Sequence, residues 1–284
     1  MPMRRLLLTC ALVLPGIASA ACPPDAAIAQ LAEAVVTGRP VEPLAGLSMA
    51  DAECARDKLV PLLVPAFGKV NGYKAGLTNA AVQRRYGLDR PVRGMIFAGT
   101  LGTNSGAEVP LTPPLAGIGV EPDLLVRVKD DGINTAGTNH VAILRHIDLV
   151  IPFIELPRSP YSRAPDGPAL VAANVHARLG VVGTPIQAEA TEEFARRLGS
   201  MTVVFSDNER EVARASGTAL LEHPLNVIPW LVEDLVRSGQ RLQAGDIVSL
   251  GGFAPSVPAQ AGHSYSLRYE GLTAEPVGIS VRFR

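Results

Sequence analysis

Apolar residues recur every three or four positions in three stretches of the chain, with polar residues between them. This spacing predicts amphipathic helices over residues 25–36, 49–63 and 224–239. The last of these has Pro224 at its start and Gly239 at its end, which are residues preferred at those two positions. We expect the first two helices to form an N-terminal cap.

From residue 72 onward, short apolar runs separated by Gly and Pro are typical of strands and turns. Two short helices, over 78–87 and 168–176, are predicted among them. The pattern therefore indicates an α+β fold, in which one β-rich domain over 71–284 follows a helical cap over 21–70. The predicted strands lie at 94–101, 119–129, 149–156, 180–185, 201–206, 246–250, 264–269 and 278–283.

The first twenty residues, 1–20, have the pattern of an export signal. Arg4 and Arg5 precede an apolar run over 6–14, and small residues occupy positions 18–20. Because these features occur in the order of a secretory signal, we expect cleavage after Ala20 and a periplasmic or secreted protein. The alternative interpretation of this stretch is a short buried helix.

The cysteine content agrees with export. Cleavage after residue 20 would remove Cys10 and leave Cys22 and Cys54 as the remaining pair. Since thiols oxidise outside the cytoplasm, we predict a Cys22–Cys54 disulfide that anchors the N-terminal helix. The alternative is two unrelated thiols, because spacing in a sequence does not fix the distance between two Cα atoms.

The overall charge of the chain is close to zero, with 26 Lys and Arg against 27 Asp and Glu. A chain without excess positive charge binds nucleic acid or an anionic membrane surface weakly, so neither is expected as a partner. No segment after the predicted signal approaches the ~20 uninterrupted apolar residues of a membrane span. The motifs of phosphate-binding loops, serine nucleophile elbows and zinc proteases are also missing from the sequence.

Three carboxylates lie in otherwise apolar predicted strands. Glu121 and Asp123 are two residues apart, which places both on one face of a strand, and Glu155 ends another apolar run. Neighbouring carboxylates repel, so this arrangement requires a cation between them, a shared proton or a wet face. Pro122 has no backbone N–H, so it predicts an edge or bulge where a site can open. By themselves, the three carboxylates are also compatible with solvated strand ends.

Lys74 stands between Gly72 and Gly76, where the backbone can approach a ligand closely and a cation can meet an anion. With the carboxylates, this segment resembles the 2-keto-4-pentenoate hydratases, which belong to the fumarylacetoacetate hydrolase superfamily together with the oxalocrotonate decarboxylases. The similar motifs occur in register from about 71 to 283. They are Gly72-Tyr73-Lys74-Ala75-Gly76-Leu77-Thr78, Glu121-x-Asp123, Glu155, His223-Pro224-Leu225-Asn226 with Trp230, and Ala244-Gly245-Asp246-Ile247-Val248 followed by Gly251-Gly252.

The resemblance implies a mixed β-roll or sandwich fold and a divalent cation, Mg²⁺ or Mn²⁺, held by Glu121, Asp123 and Glu155. Oxygen ligands suit such hard ions. It also implies a homo-oligomeric hydro-lyase that adds water to a small 2-hydroxydienoate or 2-oxo-enoate, giving a 4-hydroxy-2-oxo acid, with Lys74 and Glu121 as catalytic residues. The implied substrate-binding residues are Tyr73, Lys74, Arg93, Asn174, His176, Gly251 and Gly252.

The sequence departs from the family pattern at two places. Val92 stands where relatives commonly carry an aspartate. Asn174 is retained, but the acidic residue and the serines that neighbour it in relatives are absent from this sequence. Arg93 and His176 then form either a differently charged pocket or ordinary surface, and the glycines at 251–252 either lie against the ligand or make a tight turn. Decarboxylase, tautomerase or carbon–carbon hydrolase activity on the same scaffold, and a non-catalytic periplasmic 2-oxo acid binding protein, are the alternatives.

Overall fold

The computed structural model describes residues 22–284, apart from the side chain of Ala81. The predicted export signal and Cys10 lie outside the described residues. Within 22–284, no helix has the length and apolar character needed to cross a bilayer. The α-helices are α1 (Asp25–Thr37), α2 (Met49–Phe67), α3 (Ala80–Arg85), α4 (His140–Leu144), α5 (Gly167–Ala172), α6 (Glu192–Ser200) and α7 (Val227–Arg237).

The two N-terminal helices form where the apolar spacing predicts them. Helix α1 ends at Gly38, whose left-handed backbone (φ 80°) closes the last turn. Helix α2 begins after Ser48, which forms a capping box with Asp51: each side chain accepts a hydrogen bond from the backbone N–H of the other residue. Helix α2 continues beyond its predicted end at 63, because Phe67 extends its buried face.

Two mixed sheets make up the β-structure of the described chain. Their strands are β1 (Val70–Gly76), β2 (Val92–Phe97), β3 (Thr103–Asn104), β4 (Ala107–Val109), β5 (Gly119–Val128), β6 (Ile147–Leu156), β7 (Leu179–Val182), β8 (Ile186–Gln187), β9 (Thr202–Asp207), β10 (Arg210–Ser216), β11 (Ile247–Ser249), β12 (Val257–Pro258), β13 (Ser264–Glu270) and β14 (Val277–Phe283). The larger sheet has the order β2-β1-β11-β5-β6-β7-β3, with β12 also paired to β5 and β8 to β6. The smaller sheet has the order β10-β9-β13-β14-β4, and neither sheet closes into a barrel. The predicted α+β class is confirmed.

The main hydrophobic core joins the two sheets. Leu124 of β5 and Leu267 of β13 belong to the same buried cluster. The hydroxyl of Tyr269, on β13, donates a hydrogen bond to the carbonyl oxygen of Asp123 and accepts one from the backbone N–H of Phe153 at 3.2 Å. The smaller sheet therefore braces the β5–β6 pair at the level of the predicted carboxylates.

A second buried cluster joins the N-terminal helices to the rest of the chain. Ile28 of α1 and Leu63 of α2 pack in one cluster with Leu170 of α5. The predicted disulfide is present, with the Cα atoms of Cys22 and Cys54 5.6 Å apart. It ties the start of the described chain to α2, as expected. The division of the chain at residue 70 into two domains stays a prediction.

Several elements were missing from the sequence prediction, and two of them are strands without a strong apolar pattern. Strand β1 contains Gly72 and Gly76, which have low strand propensity, and it forms because parallel β11 and antiparallel β2 flank it. Strand β10 is an edge strand without a buried residue, so it has no apolar run to predict it. The two short helices α4 and α6 were also missed.

Candidate active site

The three predicted carboxylates lie on the central strand pair of the larger sheet. Glu121 on β5 stands directly opposite Glu155 on β6. Asp123 follows two residues after Glu121 on β5 and is completely buried, whereas Glu121 is only partly buried. The pairing of β5 with β6 therefore brings the two separated acidic segments together.

Pro122 lies neither on an edge strand nor at a bulge, contrary to the prediction, because β5 pairs with β6 in regular register from 121 to 127. Strand β5 pairs with β6 on one side, while on the other side β11 reaches only 125–127 and β12 only 119–120. Residues 121–124 thus face a gap in the strand pairing. Pro122 is tolerated there because no neighbouring strand needs a hydrogen bond from its backbone nitrogen. The site opens at this gap.

The loop after β11 crosses the gap and contacts two of the carboxylates. Gly251 has a left-handed backbone (φ 102°), and its N–H donates to Oδ1 of Asp123 at 3.2 Å. A Cβ at this position would lie 2.2 Å from Oγ1 of Thr78, so only glycine fits. A Cβ at Gly252 would lie 3.4 Å from Oε2 of Glu121. Gly251 therefore allows the close approach of the loop, whereas a Cβ at Gly252 would make only an ordinary contact.

Lys74 supplies the positive charge of the site from strand β1. Its Nζ lies 2.5 Å from Oε1 of Glu155 and donates to the carbonyl oxygen of Val175 at 3.0 Å. The side chain is 7% exposed, so the ion pair is shielded from water. Burial alone would lower the pKa of Lys74, but the nearby carboxylates, first of all Glu155, raise it above its usual value. The amine therefore stays charged.

Burial also raises the pKa values of two acids of this cluster. It raises the pKa of Glu155 to about 8, against the opposing charge of Lys74. It raises the pKa of Asp123 to about 6, although Oδ2 of Asp123 accepts a hydrogen bond from Ser249 Oγ at 2.6 Å and Oδ1 accepts one from the N–H of Leu124 at 2.5 Å. Asp123 and Glu155 therefore titrate closer to neutral pH than ordinary carboxyl groups do.

A cavity of about 570 Å³ opens in front of these groups. Lys74, Glu121, His176 and Gly252 line it, together with apolar side chains that include Phe253. Glu155 lies behind Lys74 and lines a second, much smaller cavity of about 20 Å³ together with Ser249 and Lys74. Lys74 therefore separates the large cavity from Glu155. Its ammonium group is a positive charge at the inner end of a mostly apolar pocket.

The side chains of the described chain do not form a ready-made metal cage. Among residues 22–284, no group of three or more His, Cys, Asp and Glu side chains is arranged to hold a metal ion. Lys74 contacts one oxygen of Glu155, and Ser249 and Gly251 contact Asp123. The other oxygen of Glu155, Oε2, is buried and has no hydrogen-bond partner in the described structure.

Two residues predicted to bind substrate lie elsewhere. Arg93, on β2, points to helix α7 and the residues after it, where its guanidinium donates to Asp234 at 2.6 Å, Ser238 at 3.0 Å and Gln240 at 3.0 Å. Tyr73 packs beneath the same guanidinium, which lies 5.8 Å from its ring centroid. Both predictions are corrected, because successive residues of a strand point to opposite faces and Tyr73 faces away from Lys74.

Asn174 is close to the site, but its side chain does not face the cavity. Its amide group is buried and bonds the backbone of Met95 twice, accepting from the N–H at 2.7 Å and donating to the carbonyl at 2.9 Å. The amide therefore joins the end of α5 to β2. The prediction that Asn174 binds substrate is corrected, since both polar ends of the amide are used.

His176 lines the cavity as predicted, and it is uncharged. The residue is half-buried, but its Nε2 is fully shielded and has no hydrogen-bond partner in the described range. Burial, followed by the charge of Lys74, lowers the pKa of His176 to about 3. The pocket is thus not made more positive by this histidine at neutral pH.

Sequence reasoning missed three residues that shape the site. Ser249 is a polar residue at an inward position of the apolar strand β11, and this alternation could have revealed it. Arg85, an exposed residue of α3, lines the cavity without a strand or motif to mark it. Val175 contributes only its carbonyl oxygen, for which a sequence gives no indication.

No protein-family model matches the chain. Curated relatives nevertheless align with most of the chain. The chain is 30% identical to 2-keto-4-pentenoate hydratase 2 of Dechloromonas aromatica (strain RCB) over 257 residues, which is 88% of this chain and 94% of the relative. It is 26% identical to 2-keto-4-pentenoate hydratase of Paraburkholderia xenovorans (strain LB400), over 87% of this chain and 91% of the relative.

The fold is also similar to that of solved structures. The 4-oxalocrotonate decarboxylase from Pseudomonas putida G7, complexed with magnesium and adipate, superposes with a TM-score of 0.78 at 25% identity, over 92% of this chain and 99% of that one. Fumarylpyruvate hydrolase from Pseudomonas aeruginosa, in complex with Mn²⁺ and pyruvate, gives a TM-score of 0.54 at 16% identity, over 74% of this chain and 88% of that one. The second similarity shows the fold alone.

Proposed function

The chain belongs to the 2-keto-4-pentenoate hydratase family, and on this premise we propose that it is a metal-dependent hydratase acting on a small 2-oxo acid. The reaction adds water to a 2-hydroxydienoate or its 2-oxo-enoate tautomer and gives a 4-hydroxy-2-oxo acid. The observation that carries the proposal is the Lys74–Glu155 pair, with 2.5 Å between Nζ and Oε1, at the inner end of the cavity that Glu121 also lines.

Lys74 is suited to bind the substrate. An ammonium group in a shielded, mostly apolar pocket attracts a carboxylate or a developing enolate oxygen more strongly than one in water does. Burial alone would lower the pKa of this amine, but the neighbouring carboxylates, first of all Glu155, raise it and keep the amine charged. In the proposed reaction Lys74 donates a hydrogen bond to the C2 oxygen of the substrate while a proton moves to or from carbon.

Water addition needs a group that moves protons near the substrate. The dienol first becomes the ketone when its hydroxyl proton leaves and carbon 5 gains a proton; water then adds its oxygen to carbon 4 and a proton to carbon 3. Glu121 lines the cavity and is only partly buried, so its carboxylate can accept the proton of the attacking water. The cavity of about 570 Å³ has ample room for a five-carbon acid and this water.

The acidic residues fit a divalent cation by their chemistry. Glu121, Asp123 and Glu155 offer only oxygen, which hard cations prefer, and the buried Oε2 of Glu155 lacks a partner in the described chain. We propose that these three residues hold Mg²⁺ or Mn²⁺. When bound, such a cation would supply positive charge beside the 2-oxo acid, in addition to that of Lys74.

Turnover of 2-hydroxypenta-2,4-dienoate in the presence of Mg²⁺ tests the activity. The diene absorbance should fall, and NMR should show that 4-hydroxy-2-oxopentanoate is formed. A chelator that removes Mg²⁺ should suppress both changes. Thermal stabilisation by a 2-oxo acid without turnover would instead support a binding protein.

The metal ligands are tested separately from turnover. Glu121→Ala should abolish the thermal stabilisation that Mg²⁺ or Mn²⁺ gives the protein, because a ligand is removed. Glu108→Ala changes an exposed glutamate on β4 and is the matched control. Metal affinity that is unchanged in Glu121→Ala would contradict the ligand assignment.

Decarboxylation is the second candidate activity. It is favoured by the similarity to 4-oxalocrotonate decarboxylase, which covers 92% of this chain at 25% identity. Release of carbon dioxide from 4-oxalocrotonate, measured beside hydration of the dienoate, separates the two. The ratio of the two kcat/KM values decides which reaction the site performs.

We also propose that the protein works in the periplasm or is secreted. The export pattern over 1–20 supports this, and so does the Cys22–Cys54 disulfide, since disulfides persist in oxidising compartments. Mass spectrometry of protein from the periplasmic and culture fractions should show a chain that starts at residue 21. A chain that retains residues 1–20 and remains in the cytoplasm would contradict the proposal.

A further inference from the structure

Three consecutive residues beside the site have a strained backbone. Asn174, Val175 and His176 have φ angles of 54°, 52° and 58°, which lie in the left-handed region. This region costs roughly 1–2 kcal/mol for an ordinary residue and is most unfavourable for a β-branched one such as Val175. Such strain persists only where the surroundings enforce it, and it is concentrated at functional sites.

The side chain of Asn174 enforces this turn. It is 1% exposed and bonds both backbone groups of Met95 on β2, at 2.7 Å and 2.9 Å. An amide that accepts from one N–H and donates to one C=O of the same residue replaces a rung of the strand ladder. The left-handed turn is thereby fastened to the edge of the larger sheet.

Two glycines make room for the turn. A Cβ at Gly94 would lie 2.8 Å from the carbonyl oxygen of Asn174, and a Cβ at Gly76 would lie 2.5 Å from Cγ1 of Val175. Contacts this short do not occur between real side chains, so both strands β1 and β2 must have glycine where the turn crosses them. Gly76 on β1 and Gly94 on β2 are therefore both required by this one turn.

The consequence of the turn is the position of a single oxygen. The carbonyl of Val175 accepts a hydrogen bond from Nζ of Lys74 at 3.0 Å. Together with Glu155 Oε1 at 2.5 Å, it holds the end of a long, flexible side chain at two points. A lysine has three N–H donors, so two fixed partners leave the third available to a ligand in the cavity that Lys74 lines.

We propose that Asn174 is a positioning residue for Lys74. Its amide holds the left-handed turn on β2, and the turn places the Val175 carbonyl where it orients the lysine ammonium. The catalytic consequence rests on the proposed function of Lys74, but the position of the amine does not. Asn174 therefore acts through Lys74 without touching the substrate.

The test compares Asn174→Ala with Asn134→Ala. Asn134 is a matched control, because its amide also clamps both backbone groups of one residue, Leu242, at 3.0 Å and 2.8 Å, far from the lysine in sequence. Reactivity of Lys74 toward acetic anhydride, measured by mass spectrometry against exposed Lys69, should rise on the order of tenfold in Asn174→Ala as the amine loses its fixed partner. It should not rise in Asn134→Ala.

Turnover provides the second measurement. Asn174→Ala should lower kcat by ~10–100-fold with little change in KM, as expected when a reacting group is displaced. In a Lys74→Met background the same substitution should cause no further loss of kcat, because the group that it positions is gone. Asn134→Ala should leave kcat as in the unaltered protein.

A variant that tolerates the left-handed backbone but loses the fastening to Met95 guards against loss of the fold. Asn174→Gly adopts the left-handed backbone without strain but lacks the amide, so it should fold and show the same rise in Lys74 reactivity. Unchanged reactivity in a folded Asn174→Gly variant, or an equal rise in Asn134→Ala, would overturn the proposal. If the protein has no hydratase activity at all, the reactivity measurement still decides the role of Asn174.

Discussion

Lys74 and Glu155 depend on each other more than on any other neighbour. Each is at least nine-tenths buried, and their charged atoms lie 2.5 Å apart. A buried pair of this kind adds little net stability compared with an apolar pair, but removal of one partner leaves an uncompensated charge. Such a pair is costly to maintain, which fits a role in binding or catalysis better than a role in folding.

Lys74→Met should lower kcat by ~10²–10⁴-fold, the range expected for loss of a proton-handling or charge-stabilising group. Methionine keeps most of the volume of the side chain, and Glu155 can become neutral because burial already raises its pKa to about 8. The loss of activity should therefore exceed the loss of stability. Steady-state kinetics and urea unfolding measure the two effects.

The control for this substitution is Lys69→Met, one residue before β1 and exposed. It removes the same charge from the same segment without entering the site. Equal kcat values for Lys74→Met and the unaltered protein would remove Lys74 from the mechanism.

His176 makes stability depend on pH. Its pKa is lowered to about 3 in the folded protein, from an ordinary value of 6.5. Between these values the unfolded chain binds a proton that the folded chain does not, so stability falls as the pH drops below 6.5. His176→Asn, which also tolerates the left-handed backbone, should flatten this fall by ~1 kcal/mol per pH unit between about pH 6 and 4.

Urea unfolding at several pH values measures this slope. His263→Asn is the comparison, because Nδ1 of His263 lies 2.7 Å from Oδ1 of Asp207 and is not an unpartnered buried atom. This variant should not flatten the fall in stability. Parallel stability curves for His176→Asn and the unaltered protein would show that the shielded Nε2 has no influence on folding.

The sequence was sufficient to find the buried charged residues of the candidate site, but not to orient them. Glu121, Asp123 and Glu155 stand out because charges are unusual in apolar strands, and the three residues lie on the paired strands β5 and β6. Lys74 stands out for another reason, its place between two glycines. Arg93 was misjudged because the position of an arginine head depends on which helix packs nearby. That information is not contained in a local pattern.

At the scale of elements, helix α7 is held by Arg93. The side chain of Arg93 is 2% exposed, and its guanidinium donates to Asp234 on the helix and to Ser238 and Gln240 immediately after it. The apolar stripe of α7 predicted the helix, and its residue Leu231 is fully buried as expected. The apolar stripe does not determine how the helix lies along the sheet. The hydrogen bonds and the ion pair of Arg93 do.

Arg93→Met should therefore destabilise the protein without impairing substrate binding. Removing one partner of a buried ion pair costs about 3–5 kcal/mol, since Asp234 and two polar side chains lose their donor. KM for the dienoate should change little, because Arg93 does not line the cavity. Urea unfolding and steady-state kinetics provide the two values.

Arg196→Met is the control for this prediction. Arg196 pairs with Glu193 on α6, but both side chains are more than half exposed, so the substitution should cost less than about 1 kcal/mol. A large increase in KM for Arg93→Met, with stability unchanged, would restore the original interpretation of Arg93 as a substrate-binding residue.

The elements that sequence reasoning found are those with a strong apolar pattern. Strands β5 and β6 are buried along almost their whole length, and both were predicted to within a few residues. Strand β1 was missed although it carries Lys74, because its glycines serve the close packing of other segments and weaken the strand pattern. Elements made by tertiary contacts leave little trace in local composition.

At the scale of the whole molecule, the N-terminal helices support the site from a distance. Helix α2 packs on α5, which leads directly into the turn of Asn174 and Val175, and Arg56 of α2 donates to the carbonyl oxygen of Arg93 at 3.2 Å. The disulfide fastens this helix to the start of the chain. The predicted cap is therefore connected to the part of the fold that positions Lys74.

Loss of the disulfide should destabilise the molecule as a whole. The bond joins residues separated by 32 positions, and closure of such a loop restricts the unfolded chain by ~3–4 kcal/mol in the chain-entropy account. The double variant Cys22→Ser with Cys54→Ser should lower the free energy of unfolding by about this amount. Urea unfolding of the oxidised protein and of the double variant, at one pH, gives the comparison.

The unaltered protein unfolded in the presence of a reductant is the control, since it lacks the same bond but keeps the native side chains. Its stability should match that of the double variant. Because the bond acts mainly on the unfolded chain, kcat measured well below the unfolding transition should be unaffected in both. If the two forms are as stable as the oxidised protein, the packing of Ile28 and Leu63 alone holds the N-terminal helices in place.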